Sequence, residues 1–443
     1  MFLDVWALTQ RSNSVPNSSL NGNGLSICML ATNDMLNDPR VTRHAETLGT
    51  NGFKVTVICT KSDRTQSRES RNGYEIVRVR SNLSYRAEIL AKRWKERRKQ
   101  DISRARKGAD LDIENASLPK ASHARGFSER LGRHLISGAR FTLLQLSFLK
   151  AALETRAHVY CANDLDTLLI AILAAGFDRK VVYDAHELWP DMLISVPEFY
   201  RQIFRSLEKL LVRHCNRVMT VNELIAEVLE KRNRPRSPVC SVYNIPVQVL
   251  KQNRNRRLRK RGKAIVLYQG RYAPERGLES LVESSEYLRR DIQLVFRGYG
   301  DIEDELRTLA KGRRNVRFDE PVAMDETVDA AQNADVGIVS YLPTNINNYL
   351  ASPNKLFEYI QAGLPIAASD SPFMRKIVLA NRIGVLFDPA DPRTIAAALN
   401  EITRKKELDR FRRNVASVAE KYSWPVESRK LLQVYAELMK EFE

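Results

Sequence analysis

From Leu25 onward the sequence alternates short β-rich runs with amphipathic helical stretches, breaks off once, and then begins the same alternation again. That rhythm is the mark of βαβ units laid on a parallel sheet. In the first half, strands are expected at Leu25–Ala31, Phe53–Cys59, Tyr74–Arg80, His158–Cys161, Val181–Asp184 and Arg217–Val221, with helices over Pro39–Thr50, Asp166–Ala175 and Phe199–His214. After Asn244-Ile245-Pro246 the composition shifts to Lys, Arg and Asn without apolar periodicity. The second set of strands is expected at Ala264–Gln269, Ile292–Arg297, Asn315–Phe318, Val336–Ser340, Pro365–Ser369 and Gly384–Phe387. No period of 20–50 residues recurs, which excludes a solenoid.

A chain of 443 residues is long enough for two cores. The expected fold class is therefore α/β, with two Rossmann-like domains facing each other across a cleft. The expected layout is a loose tail over 1–24 and a first domain over 25–248 that carries a basic insertion at about 83–137. A basic linker over 249–263 leads to a second domain over 264–423, and a C-terminal helix over 424–443 crosses back to the first domain. In open α/β sheets ligands bind beyond the carboxyl ends of the strands, beside helix N-termini, so the cleft is where function is sought.

Composition removes several classes. The longest apolar run, Leu168 to Phe177, is about half the roughly 20 residues a membrane-spanning helix needs. Five cysteines, odd in number and without a CxxC pair, argue against a disulfide framework or a zinc site and for buried thiols in a reducing, cytoplasmic setting. The net charge of +18 calls for an anionic partner: nucleic acid, a membrane surface or phosphate-bearing substrates. It is concentrated between Arg86 and Lys107 and again between Lys251 and Lys263. Both stretches can equally be read as solvated segments.

Two segments carry the chemistry. In Tyr268-Gln269-Gly270-Arg271-Tyr272-Ala273-Pro274-Glu275-Arg276-Gly277-Leu278 a strand ends, glycine permits a tight turn, and two arginines bracket a helix start. A diphosphate there would meet backbone amides, a positive helix end and two permanent cations. The plainer alternative is a surface turn with incidental arginines. In Ser352-Pro353-Asn354-Lys355-Leu356-Phe357-Glu358-Tyr359, Ser352 is read as a helix N-cap with Pro353 at the first helical position. Asn354 and Lys355 then sit in the anion-favouring first turn, and Glu358, a turn further on, suits a pair of vicinal hydroxyls. Its plainer alternative is an exposed helix with an ordinary Glu–Lys pair.

In order and spacing the two segments resemble the family-4 retaining glycosyltransferases of the GT-B fold, over most of the chain from about Leu25 except the insertion. The resemblance implies a nucleotide-sugar donor, UDP- or GDP-linked, held by Gly270, Arg271, Arg276, Asn354, Lys355, Leu356 and Glu358. Arg271 and Arg276 would grip the diphosphate and Glu358 the ribose. Phe296-Arg297-Gly298-Tyr299-Gly300 resembles the family's strand-end glycine turn, so Gly298 and Gly300 would let backbone approach the nucleotide. Two departures stand out: Arg276 replaces the usual Lys, and Leu350 falls where the first Glu of the family's Glu, seven residues, Glu pattern belongs.

On the acceptor side, Tyr183-Asp184-Ala185-His186-Glu187-Leu188-Trp189-Pro190 resembles the same family's histidine loop, which would put His186 and Glu187 near the reacting sugar. Asn37-Asp38-Pro39-Arg40 would face the cleft, with Arg40 on an acceptor phosphate. Asp164-Leu165-Asp166 mimics a DxD metal motif, but Asp166 is read as a helix-start residue, and neither metal nor cofactor is expected. His186, Arg271 and Arg276 are the catalytic candidates. The implied function is sugar transfer to a glycan or lipid-linked acceptor, with retention, in cell-surface polysaccharide or glycolipid synthesis. The basic insertion would dock on an anionic inner membrane face. Two other readings remain open: a nucleic-acid binder, disfavoured because the basic runs lack interleaved aromatics, and a catalytically silent homologue, argued by Leu350.

Overall fold

The computed structural model describes residues 22, 24–80, 141–193, 196–247 and 262–441. The basic insertion, the linker apart from residues 262 and 263, and nearly all of the N-terminal tail lie outside the described residues.

The first sheet holds β1 (Ser26–Ala31), β2 (Lys54–Thr60), β3 (Arg68–Arg71), β4 (Tyr74–Val79), β5 (Val159–Asn163), β6 (Lys180–Ala185), β7 (Arg217–Thr220) and β8 (Cys240–Ser241) in the order β3-β4-β2-β1-β5-β6-β7-β8. All pairings are parallel except β3 with β4. The two strands without a counterpart in the sequence reading, β3 and β8, are the edges. β3 reads Arg-Glu-Ser-Arg, a charged edge that discourages pairing with another chain and carries no apolar signal. The central strands are buried on both faces, as in β5, whose Val-Tyr-Cys-Ala-Asn is buried throughout.

The first domain's helices include α1 (Pro39–Thr50), α2 (141–155), α3 (Leu165–Ala175), α4 (Glu198–Val212) and α5 (Glu223–Asn233). Local chemistry starts two of them. Asp38 accepts from the Arg40 and Val41 amides with Pro39 opening α1, and Asn222 accepts from the Ile225 amide to cap α5.

The second sheet is wholly parallel. It runs β9 (Ala264–Gln269), β10 (Ile292–Arg297), β11 (Val316–Asp319), β12 (Val336–Val339), β13 (Ile366–Ser369) and β14 (Gly384–Phe387) in the order β11-β10-β9-β12-β13-β14. Its helices include α6 (Leu278–Glu283), α7 (Ile346–Leu350), α8 (Asn354–Gln361), α9 (Pro392–Ile402) and α10 (Lys405–Val418). The last helix, α11 (Trp424–Met439), packs Trp424, Leu431, Tyr435 and Leu438 into the core of the first domain beside Met29, Phe53 and Val57. Each fully buried leucine of this kind contributes about 1.5–3 kcal/mol.

Both sheets turn their strand ends toward one cleft of about 590 Å³. Its walls come from the segments after β1 (Asn37–Arg40), β6 (His186, Glu187), β9 (Arg271, Arg276) and β12 (Tyr341, Asn345, Asn347).

The candidate active site

The second-domain wall is built on close backbone contact. A Cβ at Gly298 would lie 1.9 Å from the Gly270 carbonyl oxygen, and one at Gly300 would lie 2.1 Å from that of Tyr272. These glycines thus let the turns after β9 and β10 pack on each other, rather than clearing room for a ligand. Gly270, at φ +132°, brings the chain over Lys355, whose Nζ would stand 3.3 Å from a Cβ there.

The cations of this wall sit on aromatic faces. Arg276 stacks its guanidinium 3.8 Å from the centre of the Tyr341 ring, and the Lys355 ammonium lies 3.8 Å from that of Tyr268 and 5.7 Å from that of Tyr341. Burial, then repulsion from Arg276, drives the Lys355 ammonium well below the usual lysine range. Glu358 accepts from Gln269 Nε2 at 3.3 Å; burial raises its carboxyl, while Gln269, Lys355 and Arg43 of α1 pull the other way. Arg276, which reaches Glu275 at 3.6 Å, and Lys355 therefore share a poorly solvated pocket with Glu358, and a bound anion would offset the cost of burying the two cations. Arg271 is exposed on the same wall, 2.6 Å from Asp301.

Helix α8 begins one residue later than expected. Pro353 is its N-cap and offers no side-chain bond, while Ser352 turns its hydroxyl toward the Val221 carbonyl of the first domain at 3.4 Å. The Asn354 and Lys355 amides precede the first internal bond, Leu356 N–H to the Pro353 carbonyl, so the helix tip still offers donors. Asn354 lines the cleft and accepts from Asn244 Nδ2 at 2.8 Å. The Leu356 side chain is fully buried in the second domain's core, so only its backbone can serve a ligand.

Across the cleft the charges are closed on one another. Arg40, 2 % exposed, gives Nε and Nη2 to the two oxygens of Asp184 at 2.9 and 2.6 Å, and Nη1 to the Val242 carbonyl at 2.7 Å. The expected contact of Arg40 with an acceptor phosphate is therefore corrected: its guanidinium is committed to holding β6. Burial works to raise the Asp184 carboxyl, yet Arg40, His186 and His44 hold it well below the usual carboxylate range. His186 stands 3.4 Å from Asp184 and 3.6 Å from Asp164. Burial alone would lower the imidazole, but the two carboxylates outweigh it and raise it to about 9, so it is an imidazolium at neutral pH. His44, buried beside Arg40, goes the other way, to about 4.

Asp164 is held at φ +67°, a left-handed conformation unusual outside glycine that costs on the order of 1–3 kcal/mol. From there its Oδ1 accepts the His186 amide at 2.9 Å, fixing the loop. Asp166 lies in the first turn of α3 and accepts from Thr32 at 2.5 Å.

The domains meet at the floor of the cleft, where Asn222 and Asn347, absent from the sequence reading, bond to Leu350 and to the histidine loop. Asn347 of α7 accepts the Leu188 amide at 2.9 Å and donates to Glu187 at 2.8 Å, which clamps the histidine loop. Asn222 donates to the Leu350 carbonyl at 2.9 Å, and the Leu350 side chain, 9 % exposed, joins the first domain's core. Where a carboxylate would face a sugar, this chain has an apolar interdomain contact. Asp184 carried a weaker signal, a carboxylate near the end of a strand whose neighbours are otherwise apolar. Asn347 gives no such signal.

Comparison with known proteins accords with this geometry. The family "Glycosyl transferases group 1" matches residues 263–405, and "Glycosyl transferase 4-like domain" matches residues 38–244. A phosphatidyl-myo-inositol mannosyltransferase of Mycobacterium leprae is 30% identical over 176 residues, which are 38% of this chain and 46% of that protein, so the match spans about half the length of that relative. Sucrose-phosphate synthase from Thermosynechococcus elongatus shares the fold at a TM-score of 0.65 and 16% identity, over 94% of this chain and 100% of that one. HepE from Anabaena, solved with UDP and glucose, does so at a TM-score of 0.59 and 14% identity, again over 94% and 100%. With matches along both halves and the two-sheet architecture in common, the chain belongs to the group 1 glycosyltransferases of the GT-B fold.

Proposed function

We propose that this protein transfers a sugar from a UDP- or GDP-linked donor to a hydroxyl of a glycan or lipid-linked acceptor, with retention of configuration. The observation that carries the reading is the Arg276–Tyr341–Lys355 stack beside the α8 tip, a buried cationic pocket in which Arg276 has only a loose contact with Glu275 at 3.6 Å. A donor diphosphate supplies the anion. The HepE structure contains UDP and glucose, and the mycobacterial relative is named for a phosphoinositide acceptor, which supports donor and acceptor classes of these kinds.

In the reaction the anomeric C–O bond to the diphosphate breaks while the acceptor oxygen bonds to the same carbon, and the acceptor proton passes to the departing phosphate oxygen. Arg271, Arg276 and the first amides of α8 stabilise the charge growing on the diphosphate, the task a metal ion performs elsewhere. Glu358 takes the ribose hydroxyls. No carboxylate is assigned as covalent nucleophile, so attack from the leaving-group face is the route to retention. The His186 imidazolium faces the sugar as a fixed donor, held by Asp184 and Asp164. The setting we infer is cell-surface polysaccharide or glycolipid synthesis at the inner face of the plasma membrane.

The test is a panel of UDP-, GDP- and dTDP-sugars, read by thermal stabilisation and by hydrolysis. One donor is expected to raise the melting temperature, and Arg276→Ala to abolish the rise. A panel in which no nucleotide-sugar binds or is hydrolysed defeats the proposal.

A further inference from the structure

Helix α4 is built inside out. Two of its charged side chains turn toward the protein: Glu208 is fully buried and accepts from the Tyr183 hydroxyl at 2.9 Å, and Arg205 pairs with the buried Asp191 at 2.6 Å. Its apolar residues Phe199, Ile203, Leu207 and Leu210, spaced four, four and three apart, lie exposed along one stripe, Phe199 at 68 % and Leu210 at 57 %. The neighbouring helix α3, which packs on α4, adds the exposed Leu169 and Leu173. Helix α2, tied to α3 by Gln145 donating to the Asp166 carbonyl at 3.0 Å, continues the surface with Leu146 and Leu153. Isolated exposed leucines are ordinary, but a row of them across three adjacent helices is a docking face.

We propose that this face seats the protein on an anionic lipid surface, with the α4 stripe entering the headgroup–acyl boundary. The proposal rests on the reading that the acceptor is lipid-linked. Charge argues for lipid. Lys150 on α2, with Lys209 and Arg213 at the end of α4, are exposed beside the apolar row. The chain leading into α2, residues 81–140, carries 15 Lys and Arg against 7 Asp and Glu. Apolar insertion and basic attraction are the two signals that stable peripheral binding requires. A second copy docking through the same patch would bring these cations against their own kind on a chain of net charge +18. Position argues for it too. Asp191, which holds Arg205, also takes Arg232 at 2.6 Å and directly precedes Met192 on the cleft wall. The docked helix is thus bolted to the acceptor side of the cleft, so a lipid-borne acceptor reaches the site from the surface that α4 enters.

The experiment is co-sedimentation of the full chain with vesicles of phosphatidylcholine, alone or with about a third phosphatidylglycerol. The wild type is expected to partition at least about tenfold more strongly onto the anionic vesicles. Leu207→Glu/Leu210→Glu is expected to lose at least about tenfold of that binding, with an unchanged melting curve and unchanged UDP-glucose and GDP-mannose hydrolysis in vesicle-free buffer. Lys209→Glu/Arg213→Glu tests the cations without touching the stripe, and is expected to weaken anionic binding most at low salt. If the wild type hydrolyses a donor yet stays in the supernatant with anionic vesicles, docking is overturned while the transfer reading stands. Equal pelleting of the wild type and both variants also overturns it. So does a dimer in sedimentation velocity that Leu207→Glu/Leu210→Glu dissociates, because the stripe would then be an interface between copies.

Discussion

The two walls of the cleft both carry charged side chains at strand ends, but they use them in opposite ways. On the first-domain wall Arg40, Asp184, His186 and Asp164 are bonded among themselves. On the second-domain wall Arg276 and Lys355 rest on tyrosine rings, Arg276 with only a 3.6 Å contact to Glu275, and burial together with Arg276 pushes the Lys355 ammonium toward neutrality. A closed network keeps a loop in place, and an open one is a place for a ligand. The contrast teaches that residue type at a strand end does not tell scaffold from site. The state of its partners does.

If that division holds, substitutions on the closed wall cost stability and those on the open wall cost rate. The largest effect is expected from Asp184→Asn. Removing one partner strands the buried Arg40 charge, at about 3–5 kcal/mol, to be read as a lower urea midpoint. A variant as stable as the wild type would break the comparison on that side.

Arg276→Ala is expected to leave the unfolding curve in place and to lower kcat/KM by about 10²–10³. Loss of stability without loss of rate would reverse the roles of the walls.

A pH titration sharpens the first wall. The His186 pKa is raised by folding to about 9, so its contribution is full below the unfolded histidine value and is lost as pH rises through 9. The decline should be about 3 kcal/mol, measured by urea unfolding at stepped pH, and His186→Gln should flatten it. The neighbouring His44, lowered to about 4, acts in the opposite sense, with stability falling as pH drops from the unfolded histidine range toward 4.

The smallest effect concerns the Asn347 clamp between the walls. Asn347→Ala removes two hydrogen bonds to the histidine loop and should lower kcat/KM by about tenfold, with KM for the acceptor carrying most of the change. Unaltered steady-state kinetics would mean that the loop needs no clamp from the second domain.

Much of this molecule could be read from its sequence. The central strands and α1 follow from apolar runs, a Pro at the helix start and an Asp cap, all of which act within a few residues. The fold class follows from their alternation, and the two cleft-lining segments of the second domain stand out as a glycine turn with two arginines and as the Ser-Pro-Asn-Lys helix start. Local rules were less sure at helix ends, as the one-residue shift of the α8 cap illustrates. They were silent on β3 and β8, whose pairing comes from the sheet beside them.

What only the tertiary structure decided is which charges are spent. Arg40 and Arg276 are both cations near strand ends, yet Asp184, 144 positions along the chain, takes the first in two short bonds, while the second rests on Tyr341 with only a 3.6 Å contact to the adjacent Glu275. Leu350 reads as a missing carboxylate until the first domain's core closes over it. Sequence periodicity sets which face of an element is apolar. Whether that face, or a charge upon it, finds a partner depends on segments brought together only by folding, and that is why α4 can carry an apolar stripe in plain sight and still turn it outward.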